Sequence, residues 1–183
     1  MTIRADFDRL QQAHLNGALN YNQRIDLLTR LESSVRRHRE DIVDACNKDF
    51  GRRALIEKLG ADVMVSLDEI KYARKNLRRW MRPQSRSVNI TFKPARGEIR
   101  YMPLGVVGVV APWNYPFQLA IIPLVNALAA GNRIMVKPSE FTPHVSALLE
   151  KILGEVFSSD EVVVVQGDAE VGAAFTQLPF DHL

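Results

Sequence analysis

Residues 105–111, Gly-Val-Val-Gly-Val-Val-Ala, form an unbroken apolar, β-branched run, the pattern of a strand covered on both faces. Such a strand needs elements on either side of it, and the sequence supplies them in β-α-β order. A helical stretch from about Phe117 to Ala130 ends at Gly131, whose freedom at positive φ suits a helix terminus. Arg133 to Lys137 reads as a second strand. Thr142 offers an N-cap hydroxyl with Pro143 at the first helical position, for a helix that reaches Leu153 and stops at Gly154. Val162 to Val165 reads as a third strand and Asp168 to Gln177 as a further helix. Short apolar strands joined by helices imply right-handed crossovers, so the expected fold class is α/β with a Rossmann-like parallel sheet. Ligands of such sheets bind at the carboxyl ends of the strands, which puts Ala111 to Tyr115 and Lys137 to Glu140 on one rim.

The preceding residues read as helical. From Tyr21 to Asn47 apolar residues recur at Leu27, Leu28, Leu31, Val35, Ile42, Val43 and Cys46, the spacing of one amphipathic helix. A second runs from about Ala54 to Met81, its stripe including Leu55, Leu59, Val63, Leu67, Ile70 and Leu77, and stops before Pro83. A shorter helix, about Asp6 to Asn16, precedes both. Ser87 to Phe92 and Glu98 to Met102 look extended, with Lys93-Pro94-Ala95-Arg96-Gly97 as a hairpin-type connection. The organisation expected is a helical part (1–82), a β-hairpin (83–102) and a partial Rossmann-like unit (103–183).

Charge is unevenly shared. Residues 1–100 hold 21 Lys+Arg against 13 Asp+Glu, and residues 101–183 hold 3 against 8. The cations of the first part are interleaved with acids along helices, as in Arg36-Arg37-His38-Arg39-Glu40-Asp41, so solvated helix faces account for them and no nucleic-acid partner is expected. The single cysteine, Cys46, excludes an intramolecular disulfide, and the charged first ten residues lack an apolar signal core, which reads as cytoplasmic. No apolar stretch reaches the roughly 20 residues of a membrane span. His14, His38, His144 and His182 have no metal-ligand spacing, and no metal is expected.

Two segments at the rim carry candidate chemistry. In Ala111-Pro112-Trp113-Asn114-Tyr115-Pro116 two prolines stiffen a loop that presents an indole and an amide. One reading is a rigid strand-to-helix turn with Trp113 filling a gap. The other is that Asn114 presents its side-chain NH2 to a developing negative charge, which requires a rigidly held donor. In Val136-Lys137-Pro138-Ser139-Glu140 the ammonium and carboxylate flank a proline and could clamp a vicinal diol such as ribose, the carboxylate disfavouring a 2′-phosphate. The alternative is a surface lysine and a first-turn glutamate complementing a helix dipole.

Pro103-Leu104-Gly105-Val106-Val107, Pro112-Trp113-Asn114-Tyr115-Pro116-Phe117, Ala127-Leu128-Ala129-Ala130-Gly131-Asn132 and Lys137-Pro138-Ser139-Glu140, in this order and at these separations, closely resemble the aldehyde dehydrogenase superfamily. The similarity extends over essentially the whole chain. It is greatest to the class-3-type branch, and Ser139-Glu140-Phe141-Thr142-Pro143 is similar to coniferyl aldehyde dehydrogenases. The resemblance implies oxidation of an aldehyde, aromatic or otherwise hydrophobic, to a carboxylic acid through a cysteine thioester, with NAD as cofactor and NADP possible. It implies that Asn114 binds the oxyanion, that Trp113 and the backbone near Ala111 line the cofactor cleft, and that Lys137 and Glu140 contact the adenosine ribose. Gly167 and Gly172 fall where the third strand meets a helix beside the adenine. A homodimer is implied, with the hairpin as the oligomerisation element.

The same resemblance places the nucleophilic cysteine, the general-base glutamate and the glycine-serine turn for the pyrophosphate beyond residue 183. Cys46 lies on the apolar stripe of a helix and reads as a structural thiol. The 183 residues alone are therefore expected to be catalytically silent, and a parallel sheet with an unpaired edge is expected to self-associate. The alternative is a non-catalytic binding or assembly module that pairs with a full-length subunit.

Overall fold

A computed structural model describes residues 2–51 and 54–183. The parallel sheet consists of β3 (Val106–Val110), β4 (Arg133–Lys137) and β5 (Val162–Val164), in that spatial order. Val110 pairs with Lys137, and Val136 with Val164. Helices α6 (Gln118–Ala130) and α7 (Pro143–Val156) cross over between these strands, and α8 (Ala169–Thr176) follows them. The expected α/β class and parallel sheet are both present.

Alternation along the strands divides the core between two faces, as the two-residue period requires. Val107, Val109, Ile134 and Val136 pack with α6, α7 and the helices α2 (Tyr21–Arg37) and α5 (Val65–Trp80). Val106, Met135 and Val165 point the other way, into a smaller cluster with Phe7 and Leu10 of α1 (Ile3–Leu15) and Phe175 of α8. All of β4 is buried. Buried Arg133 at its start donates from Nη2 to Ala13 O and Gly17 O, tying α1 to the sheet. Beyond β3, Gly108 N–H donates to His182 O at 2.8 Å, so the last residues meet part of the edge expected to be unpaired.

Five local expectations are corrected. The helix expected from Tyr21 to Asn47 is divided at His38 (φ −89°, ψ 14°) into α2 and α3 (Arg39–Phe50). That ψ leaves the helical well. The His38 ring bridges two carboxylates there, with Nδ1 2.7 Å from Asp41 and Nε2 3.0 Å from Glu155 of α7. The apolar stripe continues on both sides of the break and so conceals it. The helix expected from Ala54 to Met81 comprises α4 (Leu55–Glu57), a π-helical segment (Lys58–Met64) and α5. In the hairpin, β1 (Gln84–Arg86) pairs antiparallel with β2 (Gly97–Ile99), but the strand expected over Ser87 to Phe92 contains a 3-10 turn at Ile90–Phe92. Asn89 Oδ1 accepts the Thr91 N–H there and bends the chain. Thr142 makes no side-chain cap for α7, its hydroxyl donating instead to Ser139 O. Finally, α7 continues through Gly154 to Val156, because Leu153 and Val156 are buried and keep the last turn packed.

The His38 bridge gives the α3–α7 contact an acid limit. Hydrogen bonding to His38 is the main cause that holds both the Asp41 and the Glu155 carboxyl below the usual carboxylate range; Lys151 and Lys48 add to it for Asp41, and Arg37 for Glu155. A carboxyl lowered in the folded state stabilises fully above its unfolded pKa, and that contribution is lost as pH falls through the lowered value. Thermal melts should therefore show Tm dropping below about pH 4, with a shallower drop in His38→Gln. Parallel acid profiles for the two proteins would remove His38 from this role.

Candidate functional site

Strands β3 and β4 are neighbours in register, so the loops leaving their carboxyl ends emerge side by side. Ala111 N–H donates to Lys137 O at 3.0 Å, fastening the two loops where they begin. Ala111 is buried. Beyond it Trp113 is 56 % exposed, which excludes the reading of a gap filled by the indole within these residues. Asn114 is exposed, and its side-chain amide makes no hydrogen bond to another described residue. The donor is thus unspent. Pro116 and Phe117 are buried behind it and anchor the loop to α6.

Lys137 is only 3 % exposed, so it is not a solvated surface lysine. Burial of an ammonium is costly unless its donors are satisfied. Nζ donates to Pro138 O at 2.8 Å and to Glu140 Oε2 at 3.4 Å. Glu140 lies in the loop ahead of α7, not in its first turn. The Glu140 carboxyl is held below the usual carboxylate range chiefly by its own backbone N–H, with Lys137 adding to the effect; partial burial and the nearby Asp168 oppose it. The pair therefore presents an ionised acceptor to solvent with a buried cation behind it.

A shallow cavity of about 290 Å³ opens over this pair, and its walls include Ala111, Lys137, Glu140 and Gly172. A second, of about 190 Å³, shares Pro138, Ser139 and Glu140 and extends to Gly167. Gly167 has φ +150° and turns the chain from β5 toward α8, where an added Cβ would overlap Val171. At Gly172 a Cβ would face only Lys137 Cε at 4.0 Å, which leaves the cavity open. Asp168 caps α8 by accepting the Glu170 and Val171 N–H groups. Four of the seven candidates thus meet in one cavity and Gly167 in its neighbour, while Trp113 and Asn114 stand along the rim and line neither.

A larger cavity, about 680 Å³, lies between Trp80, Tyr101, Met102 and the end of α6 near Ala129. It is at the far end of α6 from the Asn114 loop, away from the carboxyl rim, and contains none of the candidate residues. Chemistry rather than size singles out the candidate site. Sequence reasoning missed Thr176 in the wall of the first cavity, and the remote aspartates Asp49 and Asp62 that accept N–H groups at the starts of α7 and α6. Asp168, in contrast, stood directly before a helix, a recognisable capping signal. Among the described residues no group of His, Cys, Asp and Glu could hold a metal ion, and no helix is long and apolar enough to cross a membrane.

The donor set suits a nucleotide: a carboxylate for ribose hydroxyls, glycines that open the floor, and a backbone rim at the strand ends. Comparison with known proteins shows the family. The aldehyde dehydrogenase family profile matches residues 11–180. A probable coniferyl aldehyde dehydrogenase of Pseudomonas aeruginosa is 44% identical over 99% of the chain, and a coniferyl aldehyde dehydrogenase of Pseudomonas sp. is 43% identical over 96%. The chain spans 38% and 36% of those relatives' lengths, as an amino-terminal part. A substrate-bound structure of AldH from Staphylococcus aureus superposes with a TM-score of 0.93 at 30% identity, over 98% of this chain and 39% of that one. The chain belongs to the aldehyde dehydrogenase family.

Proposed function

We propose that these residues form the cofactor- and oxyanion-binding part of an NAD(P)-dependent aldehyde dehydrogenase. The observation that carries the reading is the buried Lys137 paired with the open, ionised Glu140 over a cavity at the carboxyl rim of a parallel sheet. Lys137, Glu140, Gly172 and Gly167 would hold the adenosine end of NAD(P), and Ala111 and Trp113 the cleft beside it. Bound NAD(P) supplies the hydride acceptor. Asn114 donates its side-chain N–H to the oxygen that becomes negative when a thiolate adds to the aldehyde carbon. The overall conversion consumes aldehyde, NAD(P) and water and yields carboxylic acid, reduced cofactor and a proton.

The identity to coniferyl aldehyde dehydrogenases favours an aromatic aldehyde of that type. The thiolate does not come from these residues: the sole cysteine, Cys46, is fully buried within α3. The 183 residues by themselves are accordingly proposed to be silent. Exposed Ile90, Phe92 and Ile99 on the hairpin support its use as a contact between subunits of a dimer.

Calorimetric titration of the chain with NAD and NADP tests the reading. NAD should bind more tightly than NADP, because an ionised Glu140 repels a 2′-phosphate. Glu140→Ala should weaken NAD by about 10- to 100-fold, the worth of hydrogen bonds to a charged acceptor, and narrow the gap between the cofactors. Equal NAD affinity in the variant would reject the ribose assignment.

A further inference from the structure

The two helices that leave the site loops have no caps of their own. Phe117 gives α6 no side-chain acceptor, and Thr142 gives α7 none. A helix N-terminus leaves four N–H groups without intrahelical partners. Aspartates remote in sequence take some of them. Asp49, at the end of α3, accepts the His144 N–H on Oδ1 at 3.1 Å and the Val145 N–H on Oδ2 at 2.9 Å, and the His144 ring Nδ1 lies 2.7 Å from Oδ1. Its side chain is 1 % exposed. Asp62, fully buried in the π-helical segment, accepts the Gln118 N–H of α6 at 3.3 Å.

The first turn of α7 is what holds the Glu140 loop. Thr142 N–H, Thr142 Oγ1 and Ser146 Oγ all donate to Ser139 O, at 3.3, 3.4 and 3.0 Å. Ser139 Oγ in turn accepts the Phe141 N–H at 3.2 Å. Glu140 is thus fixed between two residues that are tied to the start of α7. That start is tied to α3 by Asp49, whereas the opposite end of α7 meets His38 through Glu155.

We propose that Asp49 is a positioning residue for the cofactor site: by capping α7 it sets where the Glu140 carboxylate stands over the cavity. It lines neither cavity and acts through the helix start and Ser139. The proposal rests on the reading of Lys137 and Glu140 as the ribose pair. A purely structural cap would stabilise α7 without affecting nucleotide binding, so the two roles separate experimentally.

The probe is 5′-AMP, titrated calorimetrically into the 183-residue chain at a temperature where circular dichroism shows every variant folded. Asp49→Ala should weaken AMP about tenfold, and Asp49→Asn, which keeps one acceptor oxygen, should fall between it and the unchanged chain. His38→Gln loosens the far end of α7 and should lower Tm while leaving AMP affinity within about twofold. If Asp49→Ala does not fold, Asp49→Asn carries the comparison with His38→Gln. Unchanged AMP affinity in the folded Asp49 variants, with binding lost in Glu140→Ala, would overturn the proposal and leave the ribose reading standing. Equal weakening in His38→Gln would also overturn it, by showing general loosening of α7. Unchanged binding in Glu140→Ala would end the ribose reading, and the proposal with it.

Discussion

Joined to the remaining length of an aldehyde dehydrogenase subunit, a chain carrying Asn114→Ala is expected to turn over about 10²- to 10³-fold more slowly than its asparagine counterpart, with KM little changed. The size of the effect follows from where the donor stands. The Asn114 amide is exposed and makes no hydrogen bond to another described residue, so none of these competes for its N–H groups. Its loop is stiffened by Pro112 and Pro116 and held behind by buried Phe117. The following helix is steadied by Asp62 at its first N–H. A donor fixed in advance gains strength as charge develops on the substrate oxygen, and removing it affects kcat rather than binding. Steady-state kinetics of NADH formation measure this. A kcat within about threefold of the parent would make Asn114 a loop residue without a catalytic part.

Gly131→Ala should destabilise the fold by ~3 kcal/mol or more, lowering Tm by about 10 °C. Gly131 ends α6 at φ +93° and ψ 16°, a left-handed conformation that costs a residue bearing Cβ about 1 kcal/mol or more. The larger part comes from Arg24. An added Cβ would overlap its guanidinium, which is buried and donates to Leu19 O at 2.7 Å and Ala129 O at 3.0 Å. Displacing that group leaves a buried cation and carbonyls without partners. Scanning calorimetry of the two proteins decides it. A Tm change below about 3 °C would mean that Arg24 re-forms both bonds elsewhere.

The sheet and the rim were legible in the sequence because their signals are local. Val106–Val110 and Arg133–Lys137 are short apolar runs bounded by Gly, Pro and Asn, and a parallel pair built from them forces Ala111 and Lys137 together. What was not legible depends on partners distant in the chain. His38 divides a continuous apolar stripe because Glu155, far away in sequence, lies against its ring. Thr142 stands where a capping hydroxyl belongs, yet Asp49, 95 residues from His144, occupies that role. The hairpin strands were displaced for a local reason of another kind: the Asn89 side chain competes with extended pairing by closing a turn on Thr91. The site follows the same division. That Lys137 and Glu140 stand together at the rim follows from their position after a strand, whereas the burial of Lys137 comes only from packing.

A crystal structure of the chain grown with NAD tests the central claim most directly. The account predicts the adenosine ribose hydroxyls within hydrogen-bond distance of the Glu140 carboxylate, with Lys137 Nζ behind it and the adenine beside Gly167 and Gly172. A nucleotide seated in the cavity by Trp80 and Tyr101, or ordered with its ribose away from Glu140, would contradict it.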